Sequence, residues 1–121
     1  MTRSGLNRQQ GSATVWMLCC CVLLIGLGTV VLVLGAVIVA RHRASVVADL
    51  AALAAADALL AGAPAPCVSA ARVAHAQGGH LVQCRADVDE VHVVAQMPTG
   101  PLLAFLPPAR ARARAGPTEP E

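Results

Sequence analysis

SATVWMLCCCVLLIGLGTVVLVLGAVIVA, residues 12–40, runs for 29 residues without a charge and lies close to the amino terminus. Arg3 and Arg8 precede it, and Arg41, His42 and Arg43 close it. As a helix, rising 1.5 Å per residue, it extends roughly 43 Å. The hydrocarbon core of a bilayer asks for about 20 apolar residues, or roughly 30 Å. The run therefore spans a membrane with tilt, or with one end in the headgroup layer. A secretory signal has a shorter apolar stretch, about 7–15 residues, followed by a small-x-small cleavage site, whereas this run ends in arginines. A lipoprotein signal would put a small residue before its cysteine, but Cys19 follows Leu18, and Cys20 and Cys21 lie deep in the run. The helix thus stays in the mature protein. Gly26, Gly28 and Gly35 inside it read either as glycine tolerated in lipid or as a face for another transmembrane helix.

The rest of the composition sets bounds. A chain of 121 residues has room for one small domain beside the membrane helix. Its basic residues are nine arginines and no lysine, Trp16 and Phe105 are its only aromatic carbocycles, and its formal charge is +2. That charge is too small for nucleic-acid binding, and no aromatics interleave with basic residues as a single-strand binding surface requires. Nucleic acid is excluded as a partner; the lipid bilayer is the first one. Basic residues flank the run on both sides, so the positive-inside comparison is nearly balanced. Cysteine usage decides the orientation: Cys67 and Cys84 are the only cysteines outside the run, and disulfides persist in oxidising compartments. The expected localisation is the inner (plasma) membrane, single-pass, with the amino terminus cytoplasmic and the carboxyl terminus extracytoplasmic.

Past the arginines, residues 44–61 (ASVVADLAALAAADALLA) continue as helix, rich in alanine and leucine and free of Gly and Pro. Val46, Leu50, Leu53 and Leu60 recur at three- and four-residue steps with Asp57 on the same line, and this line is the expected packing face. Gly62, Pro64 and Pro66 stop the helix. Residues 67–77 predict a short helix with Val68, Ala71 and Ala74 on one side and Arg72 opposite. Residues 81–86 and 91–97 have strand character around a polar turn at 87–90, which makes a hairpin. Residues 102–106 suit a helical turn or a pack against the hairpin. The stretch from Pro107 onward, made of Pro, Ala, Arg and acid, reads as a disordered tail.

The resulting fold class is α+β: a long amino-terminal transmembrane helix that leaves the membrane, then a small disulfide-stapled head with a short helix and a β-hairpin, then the tail. The divisions are a basic leader at 1–11, the transmembrane helix at 12–40, its extramembrane continuation at 41–61, the head at 62–106 and the tail at 107–121. Domains this small bury little surface and need staples. A Cys67–Cys84 disulfide closes a loop of about 18 residues, which the chain-entropy model values at roughly 3 kcal/mol. A competing arrangement uses the same thiols: Cys67, His75, His80 and Cys84 supply two sulfurs and two imidazoles for a tetrahedral zinc. Their spacing, C-x7-H-x4-H-x3-C, lacks a close knuckle, and an outer compartment oxidises the cysteines first, so neither a metal nor another cofactor is expected. No nucleophile elbow, phosphate loop or HExxH occurs, which speaks against an enzyme. Asp87, Asp89 and Glu90 read as the polar turn, and Arg110, Arg112 and Arg114 as a solvated stretch.

Taken together, Gly11-Ser12-Ala13-Thr14-Val15 at the membrane entry, Ala48-Asp49-Leu50-Ala51-Ala52-Leu53-Ala54 on the emerging helix, Cys67 and Cys84, Val91 to Val94, and Ala113-Arg114-Ala115-Gly116-Pro117 resemble a type IV pilin-like protein. The nearer resemblance is to TadE-like proteins of actinobacteria, small Flp-type pseudopilins that accompany secretion components. That resemblance implies cleavage between Gly11 and Ser12 by a prepilin-type peptidase. It also implies lateral assembly with other pilin-like or secretion-machine membrane subunits. The family's glutamate five residues into the mature chain, which pairs with a neighbour's amino terminus, is replaced here by Trp16. This fits a minor or machine-bound subunit rather than a major pilin. Two alternatives stand beside this reading: an unprocessed single-pass anchor or accessory subunit of another complex, and a zinc-binding or redox thiol protein built on Cys67 and Cys84.

Overall fold

The computed structural model describes residues 4–117, with side chains from residue 11 onward. Six elements follow one another: α1 (Ser4–Leu60), α2 (Pro66–Ala76), β1 (His80–Ala86), β2 (Val91–Met97), a 3-10 turn (Pro101–Leu103) and β3 (Ala109–Ala115). The chain forms two compact units, Met1–Gly35 and Ala36–Glu121.

In the first unit, α1 carries the apolar run as a bare helix. Apart from the half-buried Val33, its valines, leucines and isoleucines are exposed, as is Trp16. The polar hydroxyl in the middle of the run has internal partners, because Thr29 Oγ1 donates to the carbonyls of Ile25 (3.0 Å) and Gly26 (2.7 Å). A hydroxyl in hydrocarbon requires such partners. A methyl group added at Gly26, Gly28 or Gly35 would meet nothing within 4 Å.

The second unit is the head together with α1 from Ala36. Both helices that enter it end on glycine by the same device. Gly62 and Gly78 take φ of +75° and +78°, the left-handed conformation that costs glycine nothing. The amide of Ala63 then bonds back to the carbonyl of Ala58 and that of Gly62 to Leu59; Gly79 bonds to Ala74 and Gly78 to His75 in the same pattern. These are Schellman caps, which satisfy carbonyls that the helix end would otherwise leave open. Pro66 opens α2, where its missing N–H has no consequence.

The sheet is antiparallel in the order β1-β2-β3. The turn between β1 and β2 closes with the amide of Asp87 on the carbonyl of Glu90, 2.8 Å, and a register shift falls between Leu81 and Gln83. On the inward face of β2, Val91, Val93 and Ala95 stand opposite Ala115, Ala113 and Ala111 of β3. Val91, Val93 and Ala95 are buried against Val47, Ala48, Ala51, Ala52 and Ala55 of α1 and Ala70 and Ala74 of α2. A smaller cluster joins Ala40 and Ala44 to Ala109. The core is thus made almost wholly of alanine and valine. Small side chains let a sheet approach a helix backbone closely and pack at ordinary interior density.

The structure differs from the sequence expectation in two elements. Residues 109–115, assigned to a disordered tail, form the third strand. The alternation ARARARA places alanines inward and arginines outward with period two, and pairing along all of β2 supplies the backbone hydrogen bonds. The head therefore extends beyond residue 106; positions 118–121 of the expected tail lie outside the described residues. In α2 the inward residues are Ala70 and Ala74, while Val68 and Ala71 face outward.

Candidate functional site

The extramembrane part of α1 has two faces of opposite character. Ala40, Ala44, Val47, Ala48, Ala51, Ala52 and Ala55 are buried in the head. At 100° per residue, the line Val46, Leu50, Leu53, Asp57 and Leu60 falls on the far side of the helix. It is open to solvent, at 44% for Val46, 39% for Leu50, 61% for Leu53 and 87% for Leu60. The leucines of this line thus face away from their own head, which is held mainly by small residues, with Val47 and the partly buried Leu59 beside them. Sequence reading found the outer line because leucine dominates any hydrophobic period. It missed the inner one, whose signal was the recurrence of small residues at 40, 44, 48, 51 and 55.

Near the far end of α1 the leucine line borders an open groove of about 680 Å³, with Leu53, Leu59 and Leu60 on one wall and Val88 and Val91 on the other. Asp49, Asp89 and Arg114 also line it. Beside the groove, Arg114 Nη2 donates to Glu90 Oε1 at 2.6 Å, and His92 Nε2 lies 3.2 Å from Glu90 Oε2. Glu90 precedes β2 and Arg114 lies near the end of β3, so the contact clamps the sheet margin at the groove. The outer sheet face carries a lateral row of Arg85, His92 and Arg114, with Arg112 and Arg110 further along β3.

Cys67 and Cys84 are joined, S–S 2.00 Å and Cα–Cα 5.9 Å, across a separation of 17 residues. The bond ties α2 to β1, as the size of the head called for. It occupies both thiols that a zinc site would need, while the His75 and His80 rings meet edge-on at 6.3 Å. Among the described residues, no three of His, Cys, Asp or Glu come together in a way that could hold a metal ion. Cys19, Cys20 and Cys21 carry free thiols in the apolar run. Gly11 and Ser12 lie in α1 and are exposed, and Thr14 Oγ1 donates to the Gly11 carbonyl at 3.1 Å.

Residues 11–58 match a family model described as putative Flp pilus-assembly TadE/G-like. The matched segment starts at Gly11, takes in the whole apolar run and reaches Asp57 on the leucine line. The segment is similar to that family, and the similarity supports a role related to pilus assembly. α1 is also long and apolar enough over Gly11–Leu60 to cross a membrane. No curated protein and no solved structure matches the chain.

Proposed function

We propose that the chain is a non-enzymatic, pilin-like membrane subunit of a Flp/Tad-type pilus-assembly or secretion system. The observation that carries this is the TadE/G-like match, which begins at the glycine where a prepilin-type peptidase would cut. In this reading the peptidase cleaves between Gly11 and Ser12 on the cytoplasmic face. The apolar run stores the subunit in the inner membrane, with the head outside. Val46, Leu50, Leu53 and Leu60 then pack against other pilin-like or secretion-machine subunits. Their exposure supports this assignment, because the head leaves a line of large apolar side chains unpartnered on a helix that already has one face filled. Asp57, on the same line, supplies a polar contact for a partner's arginine.

A photo-crosslinking residue at Leu50 or Leu53 of the full chain, in native membranes, tests this directly. Adducts with other membrane subunits are expected from both positions, and none from Arg85 on the outer sheet face. Adducts from Arg85 alone would place the contact elsewhere and overturn the assignment. Trp16, standing where pilins carry glutamate, favours a second reading in which the chain remains an unprocessed single-pass anchor in the same machinery.

A further inference from the structure

β3 runs alongside the head portion of α1 in the same direction. Its first residue, Ala109, packs on Ala40 and Ala44. Its last, Ala115, lines the groove together with Ala52 and Ala56 of α1. Six strand steps cover about 20 Å, and the twelve helical residues from Ala40 to Ala52 cover about 18 Å, so the two courses agree. The head therefore has a definite polarity. The β1–β2 turn with Val88 lies at the far end, and the β2–β3 connection, residues 98–108, lies at the end where the apolar run leaves off.

That connection is unusual for a surface loop. Its eleven residues, PTGPLLAFLPP, carry no charge. It is tied internally, with Thr99 Oγ1 donating to the Leu103 carbonyl at 3.1 Å and the Leu106 amide to the same carbonyl at 2.9 Å. Leu106, Pro107 and Pro108 face Val37 and Arg41 of α1 across a cleft of about 470 Å³. Yet Leu102 is 90% exposed and Phe105, the only phenylalanine, is 76% exposed. A tied-down loop that points Phe105 and Leu102 outward presents an apolar surface of the kind that marks an interaction site.

The position of the loop identifies what that surface meets. With Trp16 at one interface, where indoles concentrate, about 20 residues of helix cross the hydrocarbon core and bring Val37 to Arg41 to the opposite headgroup layer. Arg41 and Arg110 line the cleft beside the loop, and His42 and Arg43 follow Arg41 in the sequence. Arginine beside an apolar wedge suits anionic headgroups, the stem lying along apolar surface with the charge at the phosphates.

We propose that residues 98–108 form a second membrane contact, in which Leu102 and Phe105 insert into the headgroup–acyl boundary of the leaflet where α1 emerges, fixing the head against the lipid surface. Interfacial apolar side chains of this kind bury about 5–10 Å deep. The inference rests on the membrane-spanning reading of residues 12–40, and its test separates the two.

The test uses the full chain in vesicles of phosphatidylcholine and phosphatidylglycerol, with or without bromine on the acyl chains. Native Trp16 reports the span; bromine quenching there establishes that the helix is in the bilayer, and its absence would reject the spanning reading itself. In a Trp16→Phe background, Phe105→Trp and Leu102→Trp each introduce one indole at an exposed site, and Val88→Trp does so at the far end of the head. Acyl bromine should quench the indoles at 105 and 102 several-fold more than the one at 88, with iodide showing the reverse order. Free access of iodide at 105 and 102 with no bromine effect would overturn the proposal. So would a blue-shifted indole that bromine does not quench, since that signature belongs to burial against protein.

Discussion

Removing the Cys67–Cys84 bond is the perturbation whose size follows most directly from the structure. The cysteines are 17 residues apart, so the bond closes a loop of about 18 residues that contains α2 after Pro66 and the turn at Gly78. On the chain-entropy model, a loop of that length raises stability by about 3 kcal/mol. No other contribution in this head is concentrated in one place, because the core is alanine and valine and its largest fully buried side chains are Val91 and Val93. The pair Cys67→Ala and Cys84→Ala, made together, should therefore remove a large share of what holds the head folded. Hydrogen exchange of the β2 amides reads this in the full chain in bilayers or micelles, since β2 is the central strand and its amides open only when the sheet opens. A loss of about 3 kcal/mol corresponds to exchange faster by roughly 100–150-fold. The amides of the apolar run serve as the internal reference. Reduction of the unsubstituted protein should reproduce the effect, which separates loss of the bond from loss of the sulfur atoms' packing. An acceleration below about tenfold in both experiments would refute the view that this cross-link is the principal staple of a weak core.

Three further outcomes are expected from the same exchange measurement. Ala51→Leu forces three carbon atoms between α1 and the sheet and should destabilise the head by about 1–3 kcal/mol, whereas Leu53→Ala, on the exposed line, should change it by no more than about 0.5 kcal/mol; the reverse order would mean that the helix faces are misassigned. Gly62→Ala places a β-carbon at φ +75°, so the cap of α1 should weaken by about 1–2 kcal/mol, seen as faster exchange at Gly62 and Ala63; no change there would show that the cap is not held in that conformation. Glu90→Gln removes the charge facing Arg114, and because that pair lies at the surface the loss should stay under about 1 kcal/mol; a larger loss would make the clamp a principal support of β3.

What could be read from the sequence, and what could not, divides along side-chain size. The apolar run, the stop at Gly62, the hairpin over 81–97 with its polar turn, and the cysteine pair all announce themselves by length, by conformational requirement or by chemistry. Ala109, Ala111, Ala113 and Ala115 do not. Alanine is a weak strand former, and arginines between such small residues read as solvated chain until a partner strand supplies the hydrogen bonds. The same holds on α1, where Ala44, Ala48, Ala51 and Ala55 form the contact that docks the head while the leucines attract the eye. A hydrophobic period identifies large apolar residues, and here the head leaves the largest of those on this helix face exposed. The leucine line is therefore legible as an apolar line, but that it faces away from the chain's own head required the packed structure.

The mature amino terminus, determined by mass spectrometry on protein from native membranes, tests the central proposal most directly. A pilin-like subunit processed between Gly11 and Ser12 begins at Ser12, and that is the predicted result. A chain beginning at Met1 or Thr2 would contradict processing and leave a single-pass anchor, and a start beyond Ala40 would mean a released head and contradict both readings.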